Sequence, residues 1–105
     1  MATEREVVYG EDGSSIRVRW RRSQAPPPYT YAVTVEVGEG GVWQTVRLWD
    51  NADDVHEHHM HRYTRGEGKQ KPIIRRFDSV NEAIATAIAE ARGNTAEIVR
   101  QWRES

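Results

Sequence analysis

Ile16, Val18 and Trp20 alternate with Arg17, Arg19 and Arg21, the period of two expected of a strand with one face in the core. Gly10-Glu11-Asp12-Gly13 just before them carries turn chemistry, so residues 6–9 and 15–22 are predicted to pair as a hairpin. Pro26-Pro27-Pro28 interrupts regular structure, because proline lacks an N–H and fixes φ. Alternation resumes over residues 29–37, with Tyr31, Val33, Val35 and Val37 on one side. Gly38-Glu39-Gly40-Gly41 is a strong turn signal into a strand at 42–49. Simple alternation there places Val42, Val46 and Leu48 on one face and Trp43, Arg47 and Trp49 on the other. A further strand is predicted at 58–64, a polar loop at Arg65-Gly66-Glu67-Gly68, and a short extended segment at 72–77.

The period then changes to that of a helix. Ser79-Val80-Asn81-Glu82 reads as a capping box, in which the Ser79 hydroxyl accepts from the Glu82 N–H and the Glu82 side chain reaches back. Val80, Ile84, Ala87, Ile88 and Ala91 recur at helical spacing, and Gly93 is a natural stop. Asn94-Thr95-Ala96-Glu97 opens a second, shorter helix with Ile98, Val99 and Trp102 on one side. The expected fold is α+β: a single domain over 1–105, with a twisted antiparallel sheet of about five strands and one or two C-terminal helices on one face.

Composition narrows the class. At 105 residues the chain is of single-domain size, and with 37% hydrophobic and 30% charged residues it has a modest core to build. Four Trp and four Tyr carry much of the apolar area, which leaves room for self-association as a homodimer. The absence of cysteine excludes disulfides, thiolate metal sites and cysteine nucleophiles. Neither a signal-peptide core nor an apolar run of membrane-spanning length is present, so a cytoplasmic protein without a membrane partner is expected. Net charge is −1, yet charge is segregated: residues 62–76 hold six basic residues against the single acid Glu67. Such a patch can bind polyanions locally.

All four histidines fall in His56-Glu57-His58-His59-Met60-His61. In a strand, Glu57, His59, His61 and Tyr63 would project one way, and His56, His58, Met60 and Arg62 the other. Imidazole titrates near neutrality, so two rings on one face can divide the work of base and acid. Three readings fit: a solvated polar strand; a metal held by His59 and His61 with Glu57 or Asp50; and acid/base catalysis needing no metal or other cofactor. The third is the expectation carried forward. Arg47, Arg62 and Lys71 are the candidates to stabilise phosphate charge, with Arg65 and Lys69 as further RNA contacts. Arg17, Arg19 and Arg21 with Trp43 and Trp49 are a mixture that suits single-stranded nucleic acid, although burial beneath the helices is the plainer use of both tryptophans. Asp50-Asn51-Ala52 is a natural turn at the end of a strand.

The run Val46-Arg47-Leu48-Trp49-Asp50-Asn51-Ala52, followed by His58-His59-Met60-His61, resembles the TumE-type toxin family of prokaryotic toxin–antitoxin systems over roughly residues 40–92. The resemblance implies a small α+β ribonuclease toxin, site residues at Asp50, Asn51, His58, His59 and His61, and a helix-turn-helix antitoxin as partner. The chain departs from the family at Met60, where a lysine is usual, and in the acidic segment Asp53–Glu57. The expected function is therefore metal-independent cleavage of RNA by a toxin-like protein. A nonenzymatic RNA- or protein-binding module and a metal-dependent enzyme are the alternatives.

Overall fold

A computed structural model describes residues 2–11, 14–23, 26–52 and 57–105, with side chains described from residue 15 onward. The elements are β1 (Ala2–Glu11), β2 (Ser14–Ser23), β3 (Tyr31–Glu39), β4 (Val42–Asp50), β5 (His58–Thr64), β6 (Gly68–Lys69), β7 (Ile73–Arg75), α1 (Val80–Gly93) and α2 (Thr95–Arg103). β1 to β5 lie side by side in chain order, each antiparallel to the next. The two short strands share the outer edge of β5: β6 pairs with Tyr63–Thr64 and β7 with His58–Met60. The architecture is thus the expected α+β sheet with C-terminal helices, extended by two short strands where a loop and an extended segment were anticipated. The middle of the expected first turn, residues 12 and 13, lies outside the described residues.

Glycine makes the β3–β4 hairpin tight. Glu39 pairs with Val42, so the loop is Gly40-Gly41, with φ of 59° and 80°. Two consecutive residues at positive φ match the right-handed twist of the flanking strands, and glycine adopts that region without a Cβ clash.

Beyond that hairpin, β4 contains an irregularity. Val35 pairs with Arg47 but Glu36 with Thr45, so Val46 is an extra residue, a β-bulge. Paired residues share a face, and the faces of β4 therefore differ from simple alternation. Trp49 and Arg47 lie on the face of Val33 and Val35, whereas Trp43 lies opposite Gly38 on the other face. Trp43 and Trp49, expected together, are on opposite sides of the sheet. Leu48, expected with Val42, pairs with Thr34 on the side of Trp43.

The core forms where Ile16, Val18, Val33, Val35 and Val37 meet the helices, all of them buried. Burying each such valine fully is worth roughly 1.5–3 kcal/mol relative to leaving it exposed. α1 lies across β2 and β3, and α2 across β3, β4 and β5, both on the same face. Ala83, Ala87 and Ala91 recur every fourth residue on the buried side of α1. α2 buries Ile98, Val99 and Trp102. Ser79 caps α1 as expected, its Oγ accepting from the Glu82 N–H at 3.0 Å. Glu82 returns its bond to the Asp78 N–H at 3.2 Å, one residue before the cap itself. Among the described residues no helix is long and apolar enough to cross a membrane.

Candidate functional site

The register between β4 and β5 decides which expected site residues meet. Asp50 pairs with His59 and Leu48 with His61, so Asp50, His59 and His61 share the face away from the helices. Each offers one ligand-capable atom, and the three atoms lie within 4.8 Å of one another. Both rings are 8% exposed. His56, the first of the histidine run, lies outside the described residues.

The outer nitrogen of each ring is anchored. His59 Nε2 is 3.0 Å from Glu57 Oε1, and His61 Nδ1 is 3.1 Å from the carbonyl oxygen of Gln70. Carboxylate and carbonyl oxygens only accept, so both of these nitrogens carry the proton. In the neutral rings that leaves lone pairs on His59 Nδ1 and His61 Nε2. His59 Nδ1 faces Asp50 Oδ1 at 3.9 Å. Gln70 owes its position to the β5–β6 turn, where its N–H donates to the Arg62 carbonyl at 2.8 Å. Sequence reasoning had no route to Gln70, because its contribution is a backbone carbonyl.

His58 and Asn51, expected in the same centre, are placed elsewhere. His58 pairs with Arg75 on the helix-covered face and is 4% exposed. Its Nδ1 shares a 3.0 Å hydrogen bond with the Tyr31 hydroxyl, and its ring meets Phe77 edge-on at 5.4 Å. Tyr31, Trp49, His58, Arg75 and Phe77 help to line a small cavity of about 10 Å³, close to the room for a single water. Asn51 is fully buried, its Oδ1 accepting from the Tyr31 N–H and its Nδ2 donating to the Tyr29 carbonyl, each at 2.9 Å. Its amide thus extends the β3–β4 pairing by one step, and the turn role of Asp50-Asn51-Ala52 is realised in the backbone.

The expected phosphate-binding cations are also dispersed. Arg47 and Arg62 pair with each other on the face opposite Asp50, His59 and His61. Arg47 donates to Gln101 of α2 at 2.9 Å, and burial, followed by the repulsion of Arg62, holds its guanidinium below the usual value against the opposing pull of Glu90. Arg65 stacks over Trp102 at 4.7 Å. Lys69 is exposed and pairs with Tyr63, which places it on the His59–His61 face by register. Lys71 is exposed between β6 and β7. Asp50's field reaches the neighbouring phenols: burial foremost, then Asp50, raises Tyr63 and pushes Tyr31 up to about 12, with Arg75 opposing at Tyr31.

On the same open face, Arg17 lies 4.0 Å over the partly exposed Trp43 ring. Glu36 forms an ion pair with Arg17 and is 3.8 Å from Arg19. Trp49 lies beneath the helices, its Nε1 donating to Glu90 at 3.2 Å.

No family model matches the chain, and no curated protein or solved structure matches it either. The resemblance to the TumE-type toxins rests on the residues quoted for it.

Proposed function

We propose that this chain cleaves phosphodiester bonds of RNA as a toxin-like protein, with the chemistry at Asp50, His59 and His61. The supporting observation is the pair of imidazoles whose outer nitrogens are tied down while one nitrogen of each ring and a carboxylate oxygen of Asp50 lie within 4.8 Å of one another. Fixing each ring by an outer acceptor holds its orientation, with the other nitrogen presented to take up or give back a proton. The RNA-binding part of the proposal falls to Lys69 on the same face and to the exposed Lys71.

Purified protein should cleave single-stranded RNA, and His59→Ala or His61→Ala should each slow cleavage by about 10²–10⁴-fold, the usual worth of a positioned acid or base. Normal cleavage by the double variant, with its fold verified by circular dichroism, would remove the assignment. A second reading, RNA binding without cleavage, is favoured by the Arg17–Trp43 stack on the open face. Under it, Trp43→Ala weakens RNA binding while wild-type protein leaves RNA intact. The partner implied by the resemblance is checked in the adjacent reading frame, where a small helix-turn-helix protein should relieve growth arrest on co-expression.

A further inference from the structure

We infer that Asp50, His59 and His61 bind one divalent first-row transition metal ion of the zinc type, and that this ion supplies the positive charge the centre needs. Three features carry the inference. The donor set is two imidazoles and a carboxylate, a combination that suits such metals and leaves coordination positions open for water or substrate. Each imidazole already has the outer partner that metal-ligating histidines almost always show: Glu57 for His59 at 3.0 Å and the Gln70 carbonyl for His61 at 3.1 Å. The inner atoms confront one another as electron-rich groups, with the His59 Nδ1 lone pair 3.9 Å from Asp50 Oδ1, an arrangement that a cation between them satisfies.

The separation is of the right order. Metal–nitrogen bonds of about 2.0–2.1 Å place two tetrahedral ligands about 3.3 Å apart. The His59–Asp50 pair must therefore close by about 0.6 Å from 3.9 Å, and the widest pair in the set, within 4.8 Å, by at most about 1.5 Å. Small side-chain rotations cover both.

Charge supplies the reason for a metal in this place. Asp50 and Glu57 are two carboxylates beside the two rings, while Arg47 and Arg62 lie on the opposite face. Arg17, Arg19 and Lys69 lie elsewhere on this face, and a cation held by Asp50, His59 and His61 would set positive charge directly beside the two carboxylates as a phosphate-attracting centre. That a metal binds here is independent of the RNA-cleaving reading; that it acts in cleavage rests on that reading.

The test is titration of chelator-stripped, dialysed protein with Zn²⁺ by calorimetry and with Co²⁺ by visible absorption. One ion per chain is expected. His61→Ala and Asp50→Asn should each weaken binding at least tenfold, and Glu57→Gln, which alters a partly exposed outer partner, by about 10–100-fold. His56→Ala should leave binding unchanged. No uptake at 100-fold excess metal over protein would overturn the site, as would binding that survives both His61→Ala and Asp50→Asn, or binding that disappears with His56→Ala. RNA cleavage should fall to background in chelator and return with metal. Cleavage at full rate by fully stripped protein would overturn the catalytic part while leaving the ribonuclease reading standing. Stoichiometric binding without any RNA cleavage would do the reverse, keeping the metal site and removing RNA as substrate.

Discussion

Asn51 offers the sharpest test of structural role against chemical role, because the family resemblance marks it as a site residue and the structure occupies its amide with backbone. Asn51→Ala leaves the Tyr31 N–H without its acceptor and the Tyr29 carbonyl without its donor, bonds of 2.9 Å each beside a side chain with no solvent exposure. An orphaned buried group costs about 1–3 kcal/mol, and the Tyr29 carbonyl, only part-buried, sits at the low end, so the sum is about 2–4 kcal/mol. That is a large share of a total stability of roughly 5–15 kcal/mol. Urea unfolding followed by tryptophan fluorescence should show the midpoint falling by about 1–2 M at unchanged slope. Asn51→Asp adds a second check. It keeps an acceptor for Tyr31 but turns a carboxylate oxygen towards the Tyr29 carbonyl, which raises its own pKa in the folded state. Its deficit should therefore shrink as pH falls through that raised value, because the protonated carboxyl can donate to Tyr29. A midpoint loss under about 0.3 M for Asn51→Ala, roughly half a kcal/mol at such slopes, would refute the assignment of these bonds as structural.

Two further outcomes follow from geometry. Gly41 sits at φ 80° with nothing among the described residues within 4 Å of an added Cβ, so Gly41→Ala meets strain without collision; thermal unfolding should register a loss of about 1 kcal/mol, the left-handed penalty partly offset by a stiffer unfolded chain. Tyr31, with its phenol raised by burial from 10.0 to about 12, favours the protonated form in the fold. Its contribution is complete below the unfolded value near 10 and is lost as pH climbs through the folded value. Tyr31→Phe should be less stable at neutral pH and should lose less stability between about pH 10 and 12 than wild type, as read from urea midpoints across that range.

Much of the fold was legible in residue pattern, for identifiable reasons. Ile16, Val18 and Trp20 against Arg17, Arg19 and Arg21 is a strand with one wet face, and it pairs as such with Val37, Val35 and Val33. Ser79, Gly40 and Gly41 declared a helix start and a hairpin because few other residues do those jobs. β6 and β7 were not legible as strands: two and three residues long, they owe their state to the free edge of β5 rather than to their own composition. Within the site, the alternation of β5 separated His58 from His59 and His61, since parity holds across seven regular residues. Asp50 joined them through cross-strand register, which no local pattern encodes. Arg47 was placed with the phosphate-binding cations on residue type alone, and the pairing of Arg47 with Arg62 on the other face is a tertiary fact.

The extra residue at Val46 works as a parity switch in β4. Counted as an ordinary ladder residue, Val46 would put Trp43 and Trp49 on one face. Left out of the ladder, it sets Thr45 and Arg47 on opposite faces, so Trp43 stacks with Arg17 while Trp49 lies beneath the helices. The two indoles of this strand thus belong to separate environments only because one residue is unpaired. Deleting Val46 would let Thr45 and Arg47 follow one another in a regular ladder opposite Glu36 and Val35, with both faces of the sheet kept as they are; inserting a residue into the ladder is what would exchange them.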